Sequence, residues 1–271
     1  MGDAVSRDSY TPKQRTRYRQ LLLDDLESFD RHLQEAEFVD HGTIGLELEL
    51  NLVGDDMAPA GCNEAVLGEL SDEYQTEVGR YNVELNHPPL ALAGDGLRQL
   101  HEGLDVRLAA VNKAAQKAGA HVAMIGTLPT VTTDYLQSDE WMTPENRYAA
   151  LSNMVLEARG ELVHIDVSRQ ERYRATFDDI ATESTCTSMQ LHLQVAPDRF
   201  CDAWNASQAI AGVQVALGAN SPLFMGHRTW HESRIPVFKQ SIDTRTAVLV
   251  NQGVRPRVWF CLLYTSPSPR D

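Results

Sequence analysis

A chain of 271 residues can bury one large core or two small ones, and its formal net charge of −14 argues against nucleic acid or an anionic membrane as main partner, since both reward clustered Lys and Arg. No apolar run approaches the roughly 20 residues of a membrane span, and the amino terminus MGDAVSRDSYTPKQR lacks a signal-peptide core, so a cytoplasmic location is expected. Cys62, Cys186, Cys201 and Cys261 form no CxxC pair and no disulfide-dense pattern, and they read as reduced thiols.

In chain order, Thr11-Pro12 predicts a helix N-cap, and Leu22, Leu26, Phe29 and Leu33 keep helical spacing behind it. The segment Thr43 to Val53, TIGLELELNLV, then switches to a period of two. Ile44, Leu46, Leu48, Leu50 and Leu52 share one face of a strand, and Gly45, Glu47, Glu49 and Asn51 share the other. The two carboxylates therefore point the same way, roughly 7 Å apart along the backbone, a spacing that suits hard cations. Asn63 is placed to cap a short helix through Leu70, and a second strand is predicted from Thr76 to Asn86. There Glu84 lies on the polar face with Arg80, Asn82 and Asn86, while Glu77 has the wrong parity unless Gly79 marks a bulge. His87-Pro88-Pro89 is expected to end that strand.

Leu97, Leu100, Leu104, Leu108, Val111 and Ala115 predict a helix closing at Gly119, followed by a strand from His121 to Ile125. A helix beginning at Thr143-Pro144 carries Arg147 and Tyr148 and stops at Gly160, and Glu161 to Ser168 reads as a strand. Glu171 to Glu183 is polar and expected to be irregular. Cys186 to Val195 alternates again, with Met189, Leu191, Leu193 and Val195 opposite Ser188, Gln190, His192 and Gln194. Asp198 is placed to cap a helix bearing Phe200, Trp204, Ala211 and Val215.

Strands with one apolar and one polar face, alternating with amphipathic helices, predict an α+β fold: a mainly antiparallel sheet with helices on one face and an open concave face on the other. No linker divides residues 1–260, read as a single domain. Residues 261–271, CLLYTSPSPRD, resemble translated sequencing-adaptor read-through, so this tail is expected to be non-native and the protein's own sequence to be incomplete beyond Phe260.

Carboxylates from two strands with an amide and an imidazole from a third favour Mg²⁺ or Mn²⁺. Zinc is disfavoured because His231-Glu232 is not completed to HExxH, although two carboxylates also leave a glycosidase pair open. Arg228, Arg234 and Lys239, with His227 and His231, concentrate cationic groups suited to a carboxylate or to phosphates. No Walker A or GxGxxG motif is present.

Together TIGLELELNLV, TEVGRYNVELNHPP, ENRYAALSN, SMQLHLQV and GANSPLFMG followed by HESRIPVFKQSID resemble the glutamate–cysteine ligase group of carboxylate-amine ligases, in its second, bacterial sequence family. The resemblance runs from about Tyr18 to Phe260. It implies a curved, glutamine-synthetase-like sheet whose concave face binds ATP, Mg²⁺ and glutamate, the relatives of which include guanido kinases. It implies metal ligation by Glu47, Glu49, Glu84 and Glu77, and cofactor contacts at Gln190 and His192; Arg228, from the cationic concentration, is a further candidate contact for the cofactor's phosphates. Gln190 stands where histidine is commoner. Arg147 is implied beside the amino-acid substrate and Arg234 as a phosphate or substrate clamp. The implied reaction joins the side-chain carboxylate of glutamate to an amine, with cysteine the best-known acceptor, through an acyl phosphate made from ATP. A guanido-kinase-like phosphotransferase and a non-catalytic binder of ATP or glutamate are the competing readings. The sequence does not fix the oligomeric state.

Overall fold

The computed structural model describes residues 4–38 and 42–256, so the expected tail and the boundary at Phe260 lie outside the described residues. Helix α1 (Pro12–Glu35) opens on the predicted cap: the Gln14 amide donates to Thr11 Oγ1 at 3.3 Å, and the Thr11 amide donates to Gln14 Oε1 at 2.9 Å. The stripe of Leu22, Leu26, Phe29 and Leu33 is exposed, and an Arg15–Glu157 ion pair ties the helix back to the body of the protein.

Strand β1 (Thr43–Val53) is the centre of the main sheet. Its alternation works as the sequence predicts: Ile44, Leu46, Leu48, Leu50 and Leu52 are all buried, and Leu50 and Leu52 are fully so. Burying each such side chain contributes about 1.5–3 kcal/mol. They pack with Val66 of α2 (Asn63–Leu67), with Tyr74 of β2 (Tyr74–Thr76), and with Val83 and Leu85 of β3 (Asn82–Ala91). Leu100, Val111, Ala114 and Ala115 of α3 (Gly96–Lys117) complete this layer, so helices cover one face. Cys62, rather than Asn63, is the N-cap of α2, because the Asn63 amide reaches Thr143 Oγ1 at 2.9 Å instead.

The second strand is divided. β2 and β3 form an antiparallel hairpin with Gln75 opposite Glu84, and residues 77–81 are its connection. β3 also continues through Pro88 and Pro89 to Ala91. A register shift in β1 between Ile44 and Leu46 accommodates the two prolines, which donate no ladder hydrogen bond. On its other edge β1 pairs first with β7 (Met189–Leu193), Glu47 opposite Gln190, and then with β4 (His121–Ala123).

A second core adjoins the polar face of the sheet near its Asn51 end. It gathers α4 (Thr133–Leu136), α5 (Asn146–Arg159), and the hairpin of β5 (Val163–Ser168) with β6 (Arg172–Phe177). β6 falls within the stretch expected to be irregular: Tyr173 and Phe177 are buried while Arg172, Arg174 and Thr176 are exposed, a short alternation hidden among polar residues. Asp198 sits in a 3-10 turn before α6 (Phe200–Gly218), whose N-cap is Arg199. The short hairpin of β8 (Leu223–Phe224) and β9 (His227–Arg228), α7 (Arg234–Ser241), which packs on β5, and α8 (Ala247–Asn251) follow. No helix among the described residues is long and apolar enough to cross a membrane.

Candidate metal centre and cleft

The polar face of the main sheet begins with an asparagine pair. Asn51 and Asn82 face each other across the β1–β3 ladder, both buried, and the Asn82 amide donates to Asn51 Oδ1 at 3.0 Å. The Asn51 amide in turn donates to the Ile125 carbonyl at 3.0 Å and to Thr187 Oγ1 at 3.3 Å. One ladder step along, Glu49 faces Glu84. Glu77 reaches the same point from the β2–β3 connection, and ligand oxygens of Glu49, Glu77 and Glu84 all lie within 4.8 Å of one another.

Glu77 joins this group because its loop is clasped by residues 141–148. Thr143 Oγ1 donates to the Glu77 carbonyl at 2.5 Å, its amide donates to the Val78 carbonyl at 2.8 Å, and the Arg80 amide donates to the Trp141 carbonyl at 2.8 Å. Gly79 is needed here: a Cβ would stand 2.2 Å from Asn82 Oδ1. Strand parity therefore does not decide where Glu77 points.

Three carboxylates so placed repel one another. Burial, followed by the charges of Glu49 and Glu84, pushes Glu77 up to about 8. Burial raises Glu49 to about 7 even though the Ser188 amide donates to its Oε2 at 2.6 Å. Glu183, in a 3-10 turn before β7, is raised to about 7 by burial and then by the charge of Glu77. The sequence reading missed Glu183, whose polar surroundings carry no periodicity. Oxygen-only donors this close, and this reluctant to ionise together, fit a hard divalent cation, which would remove the repulsion.

The remaining candidates fall into three groups. Glu47 is buried on the same strand face but outside the cluster, with His192 Nε2 3.4 Å from its Oε1 and Gln190 as its ladder partner. Arg147 lies beside the clasp: its Nη2 donates to Thr76 Oγ1 at 2.6 Å, and its Nε is 2.8 Å from Glu145 Oε2. Its guanidinium also lies 4.5 Å from the centre of the Tyr148 ring. Arg234 is held by its own surroundings. It donates to both oxygens of Glu232 at 2.5 and 2.6 Å, to the Thr187 carbonyl at 2.8 Å and to the Gly218 carbonyl at 3.2 Å. Gly126 leaves room for it, since a Cβ there would meet the guanidinium carbon at 2.8 Å. Arg228 is exposed on β9, and its backbone amide donates to Glu171 Oε2 at 2.6 Å.

A cleft of about 970 Å³ adjoins the carboxylates. Glu49, Glu183, Cys186, Ser188 and Gln190 form its floor, Trp204 and Gln208 of α6 one wall, and Arg234, Ile235, Phe238 and Lys239 of α7 the other. Arg147, His192 and Arg228 do not line it.

A sequence model of Glutamate-cysteine ligase family 2 (GCS2) matches residues 43–254. A protein of Paenarthrobacter aurescens (strain TC1) named "Putative glutamate--cysteine ligase 2-3" is 28% identical over 196 residues. The match takes in 70% of this chain and 39% of that relative, so the chain spans well under half of the relative's length. Among solved structures, a bifunctional glutathione synthetase from Pasteurella multocida is 15% identical with a TM-score of 0.41, over 68% of this chain and 24% of that one. A glutamate–cysteine ligase from Francisella tularensis, in complex with AMP, is 12% identical with a TM-score of 0.36, over 66% of this chain and 30% of that one.

Proposed function

The chain belongs to Glutamate-cysteine ligase family 2, and from that premise we propose that it forms the cation-binding part of an ATP- and Mg²⁺-dependent carboxylate-amine ligase acting on glutamate. The observation that carries the proposal is the meeting of Glu49, Glu77 and Glu84 from two strands and a clasped loop on one polar sheet face. These residues would hold Mg²⁺ (or Mn²⁺), whose charge at this point would neutralise ATP phosphates and favour in-line transfer.

A carboxylate resists attack by an amine, so the reaction runs in two steps. The terminal phosphoryl of ATP passes to the side-chain carboxylate of glutamate, giving an acyl phosphate and ADP. The amine then attacks the acyl carbon, loses a proton, and expels inorganic phosphate. Cysteine is the acceptor in the family's name and the first to test.

The protein supplies positioning. Glu49, Glu77 and Glu84 act as ligands, not nucleophiles, and the clasp at Thr143 keeps Glu77 in place. Arg147, with its fork already oriented by Thr76 and Glu145, would receive the substrate's α-carboxylate. Arg234 acts by bracing the entrance of β7 against α7, because its donors are engaged by Glu232 and two carbonyls. Gln190 and His192 would contact phosphate or water from the exposed side of β7.

The test is product analysis with ATP, Mg²⁺ and glutamate. Release of both ADP and inorganic phosphate, dependent on glutamate and an amine, supports the ligase. ADP without phosphate would instead identify a phosphotransferase, and tight Mg-ATP binding with no turnover a non-catalytic binder.

A further inference from the structure

Helix α1 stands nearly clear of the rest of the molecule. Beyond the Arg15–Glu157 ion pair near its start, every residue from Thr16 to Glu35 is exposed. Leu22, Leu26, Phe29 and Leu33 follow one another at spacings of four, three and four, which is the seam of a two-stranded coiled coil and not a scatter of surface residues. Leu26 is 61% and Phe29 57% exposed, and no described segment covers the stripe.

The charges of α1 are sorted along its length. Lys13, Arg15, Arg17 and Arg19 occupy the first half with no acidic residue among them, whereas Asp24, Asp25, Glu27, Asp30 and Glu35 crowd the second, where Arg31 is the one Lys or Arg. Cations at the N-terminus and anions at the C-terminus oppose the helix macrodipole, so this order destabilises a lone α1. A second α1 running the other way removes the penalty, because it lays an acidic half along a basic half at both ends.

We propose that α1 is a self-association surface, through which two copies of this chain pair their Leu22, Leu26, Phe29 and Leu33 stripes as an antiparallel, two-fold symmetric coiled coil. With Leu22 beside Leu26 of the second copy, Arg19 comes level with Phe29 of that copy and next to its Asp30. A parallel pair would align like charges along its whole length. An anionic bilayer is a poorer match, because it repels the acidic half of the helix. The inference stands apart from the ligase reading: α1 lies outside residues 43–254 of the family match and does not line the cleft.

Sedimentation equilibrium of the full protein that carries this chain tests the proposal. The expected result is a monomer–dimer equilibrium with a dissociation constant on the order of 10 µM, weakened several-fold as salt rises from about 0.05 to about 0.5 M. Leu26→Ala combined with Phe29→Ala keeps the helix and should weaken the dimer at least about a hundredfold, since each change counts on both copies. Arg19→Glu should weaken it about tenfold, and Asp30→Lys added to Arg19→Glu should restore it. Thermal melting checks the fold of each variant, whose main transition should not move because α1 contributes no buried residue.

A protein that stays monomeric to about 300 µM overturns the proposal. So does a dimer that the alanine pair leaves unchanged, or an Arg19→Glu defect that Asp30→Lys does not repair. A monomer whose α1 amides resist hydrogen exchange has its stripe covered by another part of its own chain, and a monomer that binds phosphatidylglycerol vesicles through α1 uses it on a membrane. Either result also overturns the pairing of two copies.

Discussion

Glu49 on β1 and Glu84 on β3 are direct partners across an antiparallel ladder, and Glu77 closes on them from the loop that joins β2 to β3. Directly opposed like charges destabilise a sheet. Their retention side by side makes sense where a cation is bound. Losing even an outer-shell partner typically weakens metal sites about 10–100-fold, and Glu49 and Glu84 would be direct ligands, so Glu49→Gln and Glu84→Gln should each lower Mn²⁺ affinity by at least about tenfold. Calorimetric titration of Mn²⁺ measures this, and unchanged affinity in both variants would place the ion elsewhere.

The pH dependence of stability follows from the same charges. Glu49 at about 7, Glu77 at about 8 and Glu183 at about 7 all exceed the usual carboxylate value of about 4.3. Each therefore binds more protons folded than unfolded in the interval between, and stability falls as pH rises from about 5 to about 8. Asp166 moves the other way, held low by Arg172 and Arg174, but it acts only at pH below that window. With a chelator present, the melting temperature should thus drop between pH 5.5 and 8.5. Added Mg²⁺ should restore most of the loss at the upper end. A melting temperature that rises with pH in chelator would contradict this.

Thr143 tests whether the loop clasp matters. Thr143→Val keeps the volume but removes the donor to the Glu77 carbonyl and the acceptor for Asn63. It should cost about 1–3 kcal/mol of stability and reduce Mn²⁺ affinity, whereas a surface change such as Thr16→Val should do neither. Urea denaturation and the same titration read both effects.

The asparagine pair is a buried support beneath the cluster. Asn51→Ala strips Asn82 and Thr187 of a partner and should destabilise the fold by about 1–3 kcal/mol. It leaves all three clustered carboxylates in place, so one Mn²⁺ per chain should still bind. Loss of binding in a folded Asn51→Ala protein would show that the pair orients ligands as well as filling space.

Much of this was legible in the sequence wherever periodicity and function coincide. The alternation of β1 gave its buried leucines and the common direction of Glu47 and Glu49, and Glu84 followed from the same rule. Periodicity failed where loops do the positioning. Glu77 was on the wrong parity because residues 77–81 are a hairpin connection, not part of one long strand. Glu183 sits in a 3-10 turn with no pattern around it. Composition could show a concentration of arginines, but not that Arg234 would be engaged by Glu232 two residues before it, or that Arg228 would turn outward on a short hairpin. The apolar residues of β7 are a further difference: Met189, Leu191 and Leu193 alternate as expected, yet all three are exposed among the described residues.

The most direct measurement is mass-spectrometric detection of an amide of glutamate, together with phosphate release, in the presence of ATP, Mg²⁺, glutamate and an amine, for the full protein that carries this chain and for its Glu49→Gln variant. Matched yields of amide and phosphate that require glutamate and fall by at least about a hundredfold in the variant, equivalent to about 2.7 kcal/mol of lost transition-state stabilisation, are the predicted result. Amide formed equally well by Glu49→Gln, or ADP accumulating with neither amide nor phosphate, would contradict a carboxylate-amine ligase built on this cluster.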